Sequence, residues 1–570
     1  MIQAGAASAR RRAWCVGPAG VREQGVGTGG FSRNLGGPTV SGSLDVGVVA
    51  ANPKAPGPVA GVGPRGSEHR RTGRYRQAKE NEARREGRSE FGVLHSTVET
   101  GEPNRGDPVE GRGRWVKELL EGNMSGTPSP GPMSTGRQRL AELARQAPQL
   151  SFTTLAHHMD LLSLGEAYER TRKDGAVGVD GQTAAEYAQN LLANLQGLLD
   201  RAKSGTYQAP PVRRVYIPKG TGSETRPIGI PTFEDKVLQR AVALILEAVY
   251  EQDFLDCSYG FRPGRSAHQA LQALWQQATA MGGCWVVEVD IRKFFDTLDH
   301  KQLRELLQRR VRDGVLLRLI GKWLNAGVLE AGAITVPEQG TPQGGVISPL
   351  LANIYLHYVL DVWFEEEVKP CLKGRAFLIR YADDFVMGFA CEEDARRVLE
   401  VLPKRFGKYG LALHPDKTRL VPFRRPSQRP GAKESGPQPG TFDLLGFTHF
   451  WGQSRRGGWV IQRKTASDRF SRTIRKIATW CRKCRHWPVI MQHGRLSQML
   501  RGHDAYFGIT GNFSMLQRLR RDVSCLWRKW LARRCRAGPL PWDHFHRLLE
   551  RYPLPPARVV HSVYRPAANP

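Results

Sequence analysis

A chain of 570 residues has room for about two or three domains and a large core. Its 84 Lys and Arg against 54 Asp and Glu give a formal charge of +30, which favours salt-dependent binding of a polyanion but does not separate nucleic acid from a membrane surface or an acidic protein. Nine scattered cysteines, no signal peptide and no long apolar span argue against a secreted disulfide scaffold and a membrane span, and point to a reducing cytoplasm.

Residues 1–133 are rich in Gly, Pro, Arg and Ser and lack sustained periodicity, so a disordered basic extension is expected. It suits an RNA-binding tail, or an upstream extension from an early start codon with Met124 or Met133 as the true start. Helix-forming sequence begins at Gly136. Lys219 and Arg226 lie in a basic segment punctuated by Pro and Gly and suited to a hairpin, where two cations can cap a nucleotide triphosphate. Taken singly they read better as solvated hairpin charges. Thr232 should open a scaffold helix with Asp235 as capping partner and Val237, Ala241, Ile245 and Val249 on one face.

In Cys284–Asp290, Trp285, Val287, Val289 and Ile291 share one strand face while Glu288 and Asp290 take the other. Phe294 reads as core. Gln343 sits in a Gly-Gly loop whose glycines allow close backbone approach, and Ser348-Pro349 reads as a helix cap and first-turn pair. Phe377, Leu378 and Ile379, then Phe385, Val386 and Met387, predict two short buried strands with Asp383 and Asp384 at the hairpin tip. Adjacent carboxylates there cost solvation and repulsion unless a cation neutralises them, and an oxygen-preferring cation such as magnesium fits. With Asp290 on a neighbouring strand, the three aspartates suit two-metal phosphoryl transfer, Asp290 and Asp383 bridging and Asp384 an outer ligand. An Asp-Asp turn alone would more often be a plain surface turn.

Lys417 follows a strand-loop segment and can offset charge near these carboxylates. Pro426 to Gly440 reads as a basic loop. From Thr465 onward helices dominate: Ile474, Ile477, Ala478 and Cys481 form one stripe, and Leu516, Leu519, Val523, Leu526 and Trp530 another. Around them lie Arg472, Arg475, Lys476, Arg520, Arg521, Arg528 and Lys529, suited to structured RNA. Cys481, Cys484 and His486 have a zinc-like spacing, but no second Cys/His pair follows and Cys481 belongs to the apolar stripe, so zinc is not expected.

Six blocks in order resemble bacterial group II intron-encoded reverse transcriptase/maturases. They are Tyr216-Ile-Pro-Lys219 through Arg226 to Gln239, Tyr259-Gly-Phe-Arg-Pro-Gly264, Gln339-Gly-Thr-Pro-Gln343 to Leu356, Arg380-Tyr-Ala-Asp383-Asp384, His414-Pro-Asp-Lys417-Thr and Leu445-Gly446-Phe447. More loosely, Arg501-Gly-His-Asp-Ala-Tyr506 resembles an element of the maturase domain. The resemblance implies an α+β, right-hand polymerase: fingers and a palm with an antiparallel sheet backed by helices over 134–452, then an all-helical thumb and maturase domain over 453–552 and a tail over 553–570.

It further implies RNA-directed DNA synthesis with two Mg2+ ions, Mn2+ being a substitute, and with deoxynucleoside triphosphates, intron RNA, and a DNA target and primer as partners. Lys219, Arg226, Phe295, Gln343 and Lys417 are the implied nucleotide contacts, Phe295 as a steric gate against a ribose 2′-hydroxyl. Leu445, Gly446 and Phe447 are the implied primer grip, and Arg501 and Tyr506 join the RNA contacts. No metal-dependent nuclease module is expected, and a dimer is compatible with the sequence. Two rivals are a catalytically silent splicing chaperone and a reverse transcriptase of a retron, diversity-generating or CRISPR-associated lineage.

Overall fold

The computed structural model describes residues 132–218, 225–330, 333–335, 340, 344–426, 439–454, 456–534 and 540–562. The expected disordered extension lies outside these, apart from its last two residues, which open the helix Pro132–Gln146. Lys219, Gln343 and most of the Pro426–Gly440 loop also lie outside the described residues.

The helix Phe233–Tyr250 is buried on nearly every side, as its apolar run from Val237 to Val249 requires, and it packs with the helices Pro132–Gln146 and Leu161–Arg170. Thr232 caps it by accepting from the Asp235 amide. Asp235 does not return the bond, contrary to expectation: its carboxylate turns inward to the Tyr207 hydroxyl at 2.7 Å and the Gln239 amide at 3.1 Å.

Among the described residues the strands form three sheets. In chain order the strands are β1 Val212–Pro218, β2 Thr225–Ile230, β3 Gly283–Asp290, β4 Val328–Glu330, β5 Ala333–Thr335, β6 Ala376–Tyr381, β7 Asp384–Phe389, β8 Arg419–Arg424, β9 Phe442–Leu444, β10 Phe447–Gln453 and β11 Trp459–Thr465. One sheet has the order β2-β1-β4-β5, with β1 and β2 forming an antiparallel hairpin. The antiparallel sheet β6-β7-β3-β8 is covered on both faces, which is why its central strands are almost continuously apolar. Trp285, Val287 and Val289 enter the main core, while Cys284 and Val286 meet the helix Ala267–Ala280. The third sheet, β11-β10-β9, packs beside that helix.

Four helices follow, Ser467–Lys483, Val489–Phe507, Phe513–Ala532 and Trp542–Arg551, around a separate core. Several details differ from the sequence reading. The boundary at 452/453 cuts the β10–β11 hairpin, which holds together by strand pairing from Phe447↔Thr465 to Gln453↔Trp459, so the C-terminal part is helical only from Ser467. The second stripe turns onto Trp527 and Leu531 instead of Leu526 and Trp530. Ser348 is the first helical residue, and Ile347 stands at the cap without a side-chain bond. The expected tail is seated along residues 553–562: Leu554 enters the helical core, and His561 pairs with Ile509 and stacks on His268 at 3.5 Å. Among the described residues no helix is long and apolar enough to cross a membrane.

Candidate functional site

The β6–β7 hairpin closes with Tyr381 opposite Asp384, leaving Ala382 and Asp383 as a two-residue turn. Ala382 takes φ 58°, a left-handed conformation that a non-glycine residue adopts only when its surroundings hold it. Arg380, fully buried, supplies that hold. Its guanidinium forks onto Asp361 at 2.7 and 2.5 Å and also donates to the Asn353 side chain at 2.9 Å and the Ala382 carbonyl at 3.1 Å. Asn353 in turn donates to the Gly260 carbonyl at 2.7 Å. Gly260 lies so close beneath the turn that a Cβ there would stand 2.3 Å from the Ala382 nitrogen. Three of the six sequence blocks thus meet as the support of one turn.

Across the sheet, Asp290 on β3 is paired with Asp384 on β7. Burial, and secondarily the charge of Asp290, raise the Asp383 carboxyl above its usual range, while the Arg226 charge opposes them. Burial in the cleft and then the Asp383 charge push Asp384 up to about 7, although its side chain still meets solvent at the rim. A hydrogen bond from the Leu445 backbone opposes that rise. Asp290 is paired differently: the Lys417 ammonium donates to its Oδ2 at 2.8 Å. Arg226 and Lys417 therefore both stand beside the aspartates, one from the β1–β2 hairpin and one from the loop before β8. Among the described residues no group of three or more His, Cys, Asp or Glu side chains is gathered closely enough to hold a metal ion.

Phe295 is half-buried on the short helix Phe294–Thr297, with Phe294 packed beneath it in the core. The loop carrying Gln343 is anchored on both flanks. A Cβ on Gly340 would stand 2.7 Å from the Phe295 carbonyl, and one on Gly344 would stand 2.4 Å from the Gly229 carbonyl of β2. The Gly344 freedom is thus used against β2. The Val346 amide donates to Gln239 at 2.8 Å. Gly340 is thus held against the Phe295 backbone and Gly344 against β2, whose Arg226 charge reaches Asp383.

Leu445 and Gly446, at φ 52° and 80°, form the tight turn between β9 and β10, with Leu444 opposite Phe447. Phe447 is fully buried between Tyr506 and Phe507. Tyr506 is half-buried by this packing, its hydroxyl donating to the Leu445 carbonyl at 2.9 Å. Arg528 likewise turns inward, 3.9 Å over Trp542 and bonded to the Leu540 carbonyl. Arg520 bonds the Leu554 carbonyl and Arg472 pairs with Asp468. Arg475, Lys476, Arg501, Arg521 and Lys529 remain exposed. Cys481 is buried in the helical core, where burial pushes its thiol up to about 12. The supporting residues Arg380, Asp361, Asn353 and Gly260 were missed as functional by sequence reasoning; a lone charged residue inside the run Phe377-Leu-Ile-Arg380-Tyr was their one signal.

Adjacent carboxylates on a hairpin turn, opposite a third on the next antiparallel strand and flanked by cations, define a nucleic-acid polymerase. Residues 217–449 match the reverse transcriptase (RNA-dependent DNA polymerase) family. The chain is 38% identical over 281 residues to Protein YkfC of Escherichia coli K12, covering 43% of this chain and 71% of that protein. It is 45% identical over 239 residues to the group II intron-encoded protein LtrA of Lactococcus lactis subsp. cremoris, covering 40% of this chain and 39% of the relative, so it spans well under half of that protein. A nuclear intron maturase 2, mitochondrial, of Arabidopsis thaliana is 29% identical over 177 residues, or 24% of each chain. The chain belongs to the group II intron reverse transcriptase/maturase family.

Proposed function

We propose that this protein copies group II intron RNA into DNA and assists the splicing of that RNA. The observation that carries the reading is the Asp290, Asp383 and Asp384 constellation, in which burial and then mutual charge raise two of the three carboxyls. Such groups lack enough countercharge, and their all-oxygen donor set fits a hard divalent cation. Asp290 and Asp383 would hold magnesium, with Asp384 outside them; Mn2+ could replace it. Bound magnesium supplies activation of the primer 3′-hydroxyl and neutralises charge on the departing pyrophosphate.

The protein's own groups do the remaining work. Arg226, with Lys219 near it in sequence, draws the triphosphate toward Asp383 by opposing charge. Phe295 lies under the sugar and excludes a 2′-hydroxyl, and Gln343 contacts the incoming nucleotide. Lys417 holds the Asp290 carboxylate in one orientation. The β1–β2 hairpin and its neighbours serve as fingers, the β6-β7-β3-β8 sheet as palm, the Leu445–Phe447 turn as primer grip, and the four C-terminal helices as thumb and maturase region.

Primer extension on poly(rA)/oligo(dT) with magnesium tests the reading. The parent should incorporate dTTP and Asp383→Ala should not; folded protein in which both are silent while RNA binding persists would favour the silent-chaperone reading instead.

A further inference from the structure

Leu445 joins two regions that the sequence reads separately. Its backbone amide lies close enough to Asp384, a catalytic carboxylate in the reading above, to oppose the rise of that carboxyl, and its carbonyl accepts from Tyr506 on the helix Val489–Phe507. With φ at 52°, Leu445 occupies a region that branched side chains rarely visit, so the peptide needs support from outside the turn. That support comes from the C-terminal part of the chain. The Ala466 amide donates to the Gly446 carbonyl at 2.9 Å, and the Tyr506 ring lies against Phe447.

Tyr506 is itself fixed. Its carbonyl meets the His268 ring nitrogen at 2.8 Å, and His268 is clasped by the stacked ring of His561. Its phenol is raised above the usual range by burial and then by the neighbouring Tyr381, with Asp384 contributing, as befits a hydroxyl held beside the catalytic hairpin. A hydroxyl so anchored fixes the peptide on the carbonyl side of Leu445, and with it the φ and ψ at that residue whose change would carry its amide away from the carboxylate.

We infer that Tyr506 is a positioning residue for nucleotidyl transfer, holding Asp384 in its working orientation through the Leu445 peptide, so that seating of the C-terminal helices is felt at the active site. The inference rests on the polymerase reading above. It assigns Tyr506 to catalysis at a distance, in place of RNA contact.

Tyr506→Phe in the full chain is the test, because it keeps the ring and its stack and removes only the hydroxyl. Primer extension would be read as kcat and KM for dTTP, template–primer affinity by equilibrium binding, and the turn by hydrogen exchange of a peptide spanning 442–450 without metal or nucleotide. The expected result is a kcat roughly tenfold lower, with KM and template affinity within about twofold, and faster exchange at Leu445. Unchanged kcat overturns the inference, as does a lower kcat with unchanged exchange. Weaker template binding with kcat intact would also overturn it and return Tyr506 to nucleic-acid contact. An inactive parent would instead sink the polymerase reading, and exchange at Leu445 would then decide the link by itself.

Discussion

At the scale of single residues, His449 shows how the fold sets a pH limit. It is fully buried, stacks on Phe442 at 4.8 Å and among the described residues finds no hydrogen-bond partner for either ring nitrogen. Burial, and then the Arg463 charge, lower its pKa to about 3. An unfolded histidine takes a proton near pH 6.5 while the folded one stays neutral. Its contribution to stability is therefore present above pH 6.5 and lost as pH falls toward 3, roughly 3 kcal/mol by about pH 4.5. His449→Phe keeps the stack and removes the titration. Urea unfolding at pH 7 and pH 4.5 should show the variant losing about 3 kcal/mol less than the parent across that interval. His357, lowered to about 3 in the same way, leaves part of the acid limb in both proteins, so only the difference is diagnostic. The burial of His449 was legible in principle, since the two-residue period puts it on the same face as Phe447.

The hairpin bearing Asp383 and Asp384 is the element where sequence and structure divide. Its strands and the position of Asp383 at the turn follow from the apolar runs on either side. What holds the turn does not, because Arg380 and Asp361 are 19 residues apart and a buried ion pair looks in a sequence like two ordinary charges. Two substitutions probe that support. Arg380→Leu would leave Asp361 buried without its partner, and denaturant unfolding should show a loss of about 3–5 kcal/mol. Gly260→Ala acts on position instead. The added carbon would meet the Ala382 nitrogen at 2.3 Å and the Tyr381 carbonyl carbon at 2.9 Å, both backbone, so the turn bearing Asp383 must move. Primer extension should fall roughly a hundredfold while the far-ultraviolet circular dichroism stays that of the parent, since a displacement of about 1 Å at reacting groups has that effect. Full activity in Gly260→Ala would mean that the turn tolerates the shift.

Over the whole molecule, the excess of 84 basic over 54 acidic residues announces a polyanion but cannot say which cations meet it. The structure sorts them: Arg380, Arg310 and Arg262 are buried in ion pairs with Asp361, Asp253 and Glu251, while Arg475, Lys476, Arg501, Arg521 and Lys529 face solvent from the C-terminal helices. That sorting depends on long-range packing, which periodicity within one helix does not reveal, as the inward turn of Arg528 onto Trp542 illustrates. On the proposed function it also separates the two activities physically, because the exposed cations would owe nothing to metal at the aspartates. Asp383→Ala should therefore abolish DNA synthesis yet keep the parent's affinity for structured RNA, its salt dependence and its assistance to splicing. Replacing the five exposed cations by alanine should do the reverse to binding. The slope of log Kd against log salt should fall by about 0.7 for each cation that meets a single-stranded phosphate. Filter binding of intron RNA across a salt series, run beside a splicing assay, reads both effects. If folded Asp383→Ala lost RNA binding as well, the aspartates and the RNA surface would have to be parts of one site.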